Sequence, residues 1–189
     1  MRPLPPLALL ALLLAACGAP AYYLLPPPAA AARHASPVGT IVVADISVPT
    51  YVDALEIASL TGPETVDLAK NSLWADSPRR ALTRHLAAAL DTRLAARIGT
   101  EPWPAFDAPG LRIEVTVDRM IGAPGGTLDF TGQYAIVTPN GSLRAFDRFA
   151  LVVPVADGGY PALMTAHAKA MDRLADRIAA SITGRSLAS

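Results

Sequence analysis

A chain of 189 residues, at about 150 per domain, has room for one domain and a remainder. With 52% apolar residues it is too hydrophobic to be disordered, and its 18 prolines and 13 glycines are too scattered for collagen or a low-complexity tract. Basic and acidic side chains balance at 16 each, so no overall field draws the chain to nucleic acid, and a single cysteine, Cys17, excludes an internal disulfide or a multi-cysteine metal site.

Met1-Arg2 gives a short positive start, and residues 3–16 (PLPPLALLALLLAA) then carry no charge and no hydrogen-bonding side chain. As a helix that run reaches roughly 21 Å, against a hydrocarbon core of about 30 Å, so it reads as a signal peptide over 1–16 rather than a span. It ends in Leu14-Ala15-Ala16-Cys17-Gly18, which looks like the lipobox of bacterial lipoproteins, where cleavage leaves the cysteine first and lipids are attached to it. The bland alternative is ordinary cleavage with Cys17 incidental. That would leave an exported chain with one unpaired thiol at its new terminus. Acylation by two or three chains, at about 0.8 kcal/mol per buried methylene, implies an essentially permanent anchor. Gly18 follows the cysteine instead of an Asp resembling an inner-membrane retention signal, which points to the periplasmic face of the outer membrane.

Residues 17–39 read as the lipidated cysteine and a Pro/Ala-rich tether stiffened at Pro26–Pro28, with Tyr22-Tyr23-Leu24-Leu25 able to dock as a short edge strand. A single domain is expected over 40–189. Thr40 to Val48 is β-branched and predicts a strand stopped by Pro49. Residues 50–73 are ambiguous: Thr61-Gly-Pro-Glu64 imitates a capping box, while Thr65-Val-Asp-Leu fits a strand equally well. Asp76-Ser77-Pro78 starts a helix, whose apolar stripe runs through Leu82, Leu86, Leu90 and Leu94 to Ile98 before Gly99 stops it. Alternation at 111–117, 128–136 and 149–155, separated by the turns Gly122–Gly126 and Pro139–Gly141, predicts a three-strand antiparallel meander. A closing helix is predicted from about Pro161 to Thr183. The fold class is thus α+β in two layers: an antiparallel sheet of roughly four to six strands with two helices on one face.

The motifs of common chemistries are absent from the sequence, among them Gly-x-Ser-x-Gly, His-Glu-x-x-His, a Walker loop and Gly-x-Gly-x-x-Gly. His34, His85 and His167 fall in unrelated contexts, the last two reading as core-edge side chains. No carboxylate pair is placed as acid and base, so no catalytic residue, metal or cofactor is expected. Lys169/Asp172 and Arg173/Asp176 read as i,i+3 pairs on a solvated face. Two features can serve partner contact. Trp103, in the Pro-locked loop from Glu101 to Phe106, reads first as a plug on the end of the core and second as an aromatic lip. Arg144, Phe146, Arg148 and Val152 alternate with the core set of the last strand and form an apolar-plus-Arg outer stripe.

Three segments in order carry a likeness. Tyr22-Tyr23-Leu24-Leu25-Pro26 after the lipobox, Ile46-Ser-Val-Pro-Thr-Tyr-Val-Asp53, and Asn71-Ser-Leu-Trp74-Ala-Asp-Ser-Pro78 entering the first helix resemble the ABC-type transport auxiliary lipoproteins, the PqiC-like group of membrane-integrity-associated transporter subunits. One additional residue separates Trp74 from Pro78, and Thr50 and Val52 replace residues usual beside the tyrosine. The resemblance implies an envelope lipid-transport system: an inner-membrane ABC transporter (permease and ATPase) and a mammalian-cell-entry (MCE) domain protein crossing the periplasm. The lipoprotein docks the MCE protein at the outer membrane and supports membrane integrity, without catalysis. A homo-oligomeric docking collar is compatible with such a role. The competing readings are a stand-alone lipid-binding lipoprotein, which needs an apolar cavity, and a periplasmic hydrolase.

Overall fold

The computed structural model describes residues 19–104 and 108–185; the signal segment 1–16, Cys17, Gly18 and Phe106 lie outside the described residues. The elements run β1 (Ala21–Tyr23), β2 (His34–Val43), α1 (Thr50–Asp53), β3 (Glu56–Leu60), β4 (Val66–Trp74), α2 (Pro78–Arg93), β5 (Leu94–Thr100), β6 (Leu111–Gly122), β7 (Thr127–Val137), β8 (Leu143–Pro154) and α3 (Tyr160–Thr183). The fold is α+β, as expected. The meander β6-β7-β8 is antiparallel throughout, and both long helices pack against one face of its sheet.

Two departures concern the sheet. It is not one antiparallel sheet but two: five strands in the order β5-β2-β6-β7-β8, and three in the order β1-β4-β3. The larger sheet is mixed, because β2 runs parallel to both β5 and β6. A parallel neighbour needs a crossover, and α2 supplies it between β2 and β5. The first long helix therefore ends at Arg93, not at Ile98. Leu94 is already extended, with φ −124° and ψ 137°. Leu94, Ala96 and Ile98 fit a helical stripe and a strand alternation equally, and pairing with β2 decides for the strand. The ambiguous stretch 50–73 resolves into α1 and the β3-β4 hairpin. Thr61–Glu64 is its turn, where the Thr61 N–H donates to the Thr65 carbonyl at 3.0 Å.

The core lies between the helices and the inward rows of the sheet. Ile41 and Val43 of β2, Ile113 and Val115 of β6, Phe130 and Tyr134 of β7 and Phe149 of β8 meet Leu86 and Leu90 of α2 and Met171, Leu174 and Ile178 of α3. At about 25 cal/mol per Å² of apolar surface, burying each large aliphatic side chain contributes some 1.5–3 kcal/mol. Phe130 and Phe149 stack obliquely with ring centroids 4.7 Å apart. The Tyr134 hydroxyl leaves this apolar layer by sharing a 2.7 Å hydrogen bond with the Ser181 hydroxyl.

The stretch read as a tether, with an edge strand able to dock at Tyr22–Leu25, docks there as β1 and is built into the body from Ala21 onward. β1 pairs in parallel with Ser72–Trp74, and the Ala75 N–H donates to the Tyr23 carbonyl at 2.8 Å. Tyr23 and Leu25 pack on the core, the Tyr23 ring 6.2 Å from that of Tyr160. Further along, the Pro26 carbonyl accepts from His85, the Ala29 N–H donates to Asp172 at 3.1 Å, and Arg33 Nε donates to the Leu94 carbonyl at 3.0 Å. His34 then opens β2. Pro-rich composition fixes φ but does not say which partners the carbonyls will find. Here they find helix side chains, so 21–33 is a strap across α2 and α3.

Asp172 and Asp176 also differ from their reading as a solvated helix face. Both turn toward α2: Asp172 Oδ1 lies 3.3 Å from His85 Nε2, and Asp176 Oδ1 accepts from the buried Arg93 Nε at 2.6 Å. Their partners lie on the other helix, not one turn along their own.

Candidate functional site

β8 is an edge of the five-stranded sheet. Its inward residues Phe149, Leu151 and Val153 oppose Gly132, Phe130 and Leu128 and are buried. Strict alternation therefore sends Phe146, Arg148, Ala150 and Val152 to the other face, which neither helix covers. There Phe146 is 54% exposed and Val152 57%, and Leu143 at the start of the strand is 62% exposed. Arg144 and Arg148 are exposed and form no ion pair among the described residues. Of the predicted stripe, Phe146, Arg148 and Val152 lie on that face together with Leu143, which sequence alternation alone does not reveal, whereas Arg144 borders a hollow with Ser181 and Thr183 at the end of α3. A register shift between Ile136 and Val137 brings Leu143 opposite Val137, and nothing local in the sequence marks that shift.

Trp103, in the loop that follows β5, is half-buried and borders a hollow with Val42 and Arg112. It lies over Gly99, where an added Cβ would come within 3.1 Å of the Trp103 ring. Gly99 pairs with Val42, Val42 with Arg112, Arg112 with Val137 and Val137 with Leu143, so Trp103 and Leu143 mark the two ends of one cross-strand row. Four strand spacings, about 19 Å, separate them. The structure therefore sets the two candidate contacts on one face without joining them. Between them Arg112 Nε holds Glu101 at 2.6 Å and also pairs with Glu114.

Both helix histidines are buried and partnered. His167 shares a 2.8 Å hydrogen bond between Nδ1 and the Leu163 carbonyl, and its ring stands edge-on to Trp74 at 5.6 Å. Burial holds its imidazole down at about 4, and burial likewise lowers His85 despite the opposing Asp172. A histidine kept neutral by the fold gains its proton more readily when unfolded. Its contribution is complete above the ordinary value of 6.5 and is lost as pH falls toward 4. On this basis roughly 3 kcal/mol of stability disappears between pH 7 and pH 4 through His167. Denaturant unfolding across that range measures the slope, and His167→Phe is expected to flatten it.

Among the described residues no three His, Cys, Asp or Glu side chains converge as a metal set. The hollow inside the core, bounded by Tyr51, Ile57, Trp74, Met120 and His167, has only about 10 Å³, room for a water and far too small for an acyl chain. A groove of about 550 Å³ between the end of β8 and the first turns of α3, lined by Pro154, Val155, Pro161, Ala162 and Lys169, lies open on the surface. The outer face of β8 presents apolar side chains beside the Arg148 guanidinium, which has no ion pair among the described residues, at a strand edge.

No curated protein matches the chain. A crystal structure of an uncharacterized protein superposes with a TM-score of 0.72 at 21% identity, covering 87% of this chain and 99% of that one. One from Xanthomonas campestris, under the DUF330 family model, gives 0.65 at 15% identity, covering 87% and 96%. These likenesses show the fold. A PelC dodecamer from Paraburkholderia phytofirmans matches at only 0.46 and 12% identity, over 79% of this chain and 92% of that one, and carries no weight for assembly here. The family model described as "ABC-type transport auxiliary lipoprotein component" matches residues 22–179, from β1 to the last turns of α3, and the chain belongs to that family.

Proposed function

We propose that this lipoprotein, acylated at Cys17 on the periplasmic face of the outer membrane, docks the MCE-domain protein of an ABC-type lipid-transport system through the outer face of β8. It is not an enzyme in this reading: it holds a partner in place and performs no bond chemistry. The observation that carries the proposal is the exposed stripe on an edge strand, with Leu143, Phe146 and Val152 more than half exposed and Arg148 beside them without an ion pair among the described residues. Apolar anchors flanked by arginine are the composition of contact surfaces. A covalent anchor confines both partners to one narrow layer, so a moderate interface suffices. Trp103 supplies a second contact at the opposite edge of the same face.

A photocrosslinking residue at position 146 of the full-length lipoprotein, in intact envelopes, tests this. The expected result is capture of the MCE-domain protein, identified by peptide mass, with no capture from the exposed α2 position Ala88. Phe146→Asp is expected to weaken binding of that protein at least tenfold, the cost of about 1.4 kcal/mol or more for one anchor, while leaving Tm nearly unchanged because the side chain is exposed. Capture of a second copy of this chain in place of the MCE protein reassigns the face to self-assembly and removes the docking reading.

A further inference from the structure

We infer that the end of the domain carrying the small sheet rests directly on the bilayer, with Tyr22 and Leu24 in the lipid interface and the Leu143–Arg148 end of β8 directed away from it. The inference rests on the reading of Cys17 as acylated. It goes further by fixing how the body stands on the membrane.

Because the strap is tied down from Ala21 onward, only four residue steps separate the acylated cysteine from a paired strand. Fully extended, they span about 14 Å, less than half the thickness of the hydrocarbon core. A free segment up to residue 39 would have let the body tumble well clear of the surface. The bound strap forbids that. Tyr23 and Leu25 turn inward to the core, so alternation sends Tyr22 and Leu24 outward, where they are 64% and 73% exposed. Two large apolar side chains exposed within a few residues of the lipid are matched to a bilayer interface, which takes a tyrosine ring and a leucine together.

The far end follows from the topology. The ring of Tyr160, which follows β8, lies beside Tyr23 at the lipid end, whereas the Leu143 end of the twelve-residue strand β8 lies roughly 36 Å along the strand from its Pro154 end. The turn at 138–142 and the apolar start of β8 therefore point into the periplasm, toward a partner arriving from the other membrane.

The test uses the full acylated chain in vesicles of phosphatidylethanolamine and phosphatidylglycerol that carry a headgroup-level quencher. Cys17 is the only cysteine and its thiol is consumed by the lipid, so Leu24→Cys and Asn140→Cys each accept one fluorophore. The mass of the vesicle-bound protein is read first. Strong loss of emission at 24 with none at 140 is the expected result. An acylated, vesicle-bound protein with emission unquenched at 24, or quenched equally at both positions, overturns the seating while leaving the anchor intact. A protein of unmodified mass that fails to bind vesicles overturns the anchor and the seating with it.

Discussion

Gly132→Ala is expected to lower the unfolding free energy by about 3 kcal/mol, a fall of some 6–12 °C in Tm for a domain of this size. Gly132 sits in the middle of β7, buried, opposite Val117 on one side and Phe149 on the other. The Phe149 ring occupies the space a side chain would take: an added Cβ would lie 2.8 Å from Phe149 Cζ and 3.1 Å from Val117 Cα, and would overlap the Thr116 carbonyl oxygen. The ring can rotate, but the carbonyl belongs to the backbone of β6 at the point where the register shifts between Val117 and Arg119. Shortening Phe149 therefore does not rescue the variant. Gly39→Ala is the matched control, since nothing lies within 4 Å of its Cβ and its φ is not in the left-handed region; its expected effect is within about 0.5 kcal/mol. Thermal unfolding followed by circular dichroism compares the two.

Trp74→Ala is expected to cost about 3–5 kcal/mol, the range for removing a buried large aromatic. Trp74 is 4% exposed and ends β4, where its backbone pairs with Tyr23 and its N–H donates to the Leu55 carbonyl at 2.7 Å. Its ring braces the small sheet against α3 through His167. The loss should therefore be felt beyond the cavity itself: the β1 pairing depends on the position of that strand end. Hydrogen exchange at the Ala75 amide, which is held by Tyr23, is expected to accelerate more than exchange in β7. Equal acceleration in both would mean that Trp74 supports global stability alone and not the strap.

Much of this architecture is legible in one chain because long elements declare their period. The alternation of Leu111 to Val117 and the stripe from Leu163 to Ile182 define the meander and closing helix, and the Asp76-Ser77-Pro78 start of α2 is written locally. Other features are set by distant partners. Leu94 to Ile98 satisfies two periods, and only β2 alongside selects one. The strap is hidden because prolines and alanines look the same whether free or fastened, and its fasteners, His85 and Asp172, lie 87 residues apart in sequence. Asp172 and Asp176 invite pairing within their own helix by spacing, yet they face Arg93 and His85 across the groove. The contact stripe follows from alternation, whereas the inclusion of Leu143 and the position of Trp103 over Gly99 require the register of five strands.

Docking and orientation both depend on the anchor. Trypsin digestion of the mature lipoprotein, extracted with detergent from the envelope, should release a peptide running from Cys17 to Arg33. Its mass shows directly whether the terminal cysteine carries lipid. The predicted result is a peptide that begins at Cys17 with diacylglycerol on the thiol and no reaction with iodoacetamide. A peptide of unmodified mass whose Cys17 alkylates freely would contradict the membrane-bound docking role and the orientation built on it.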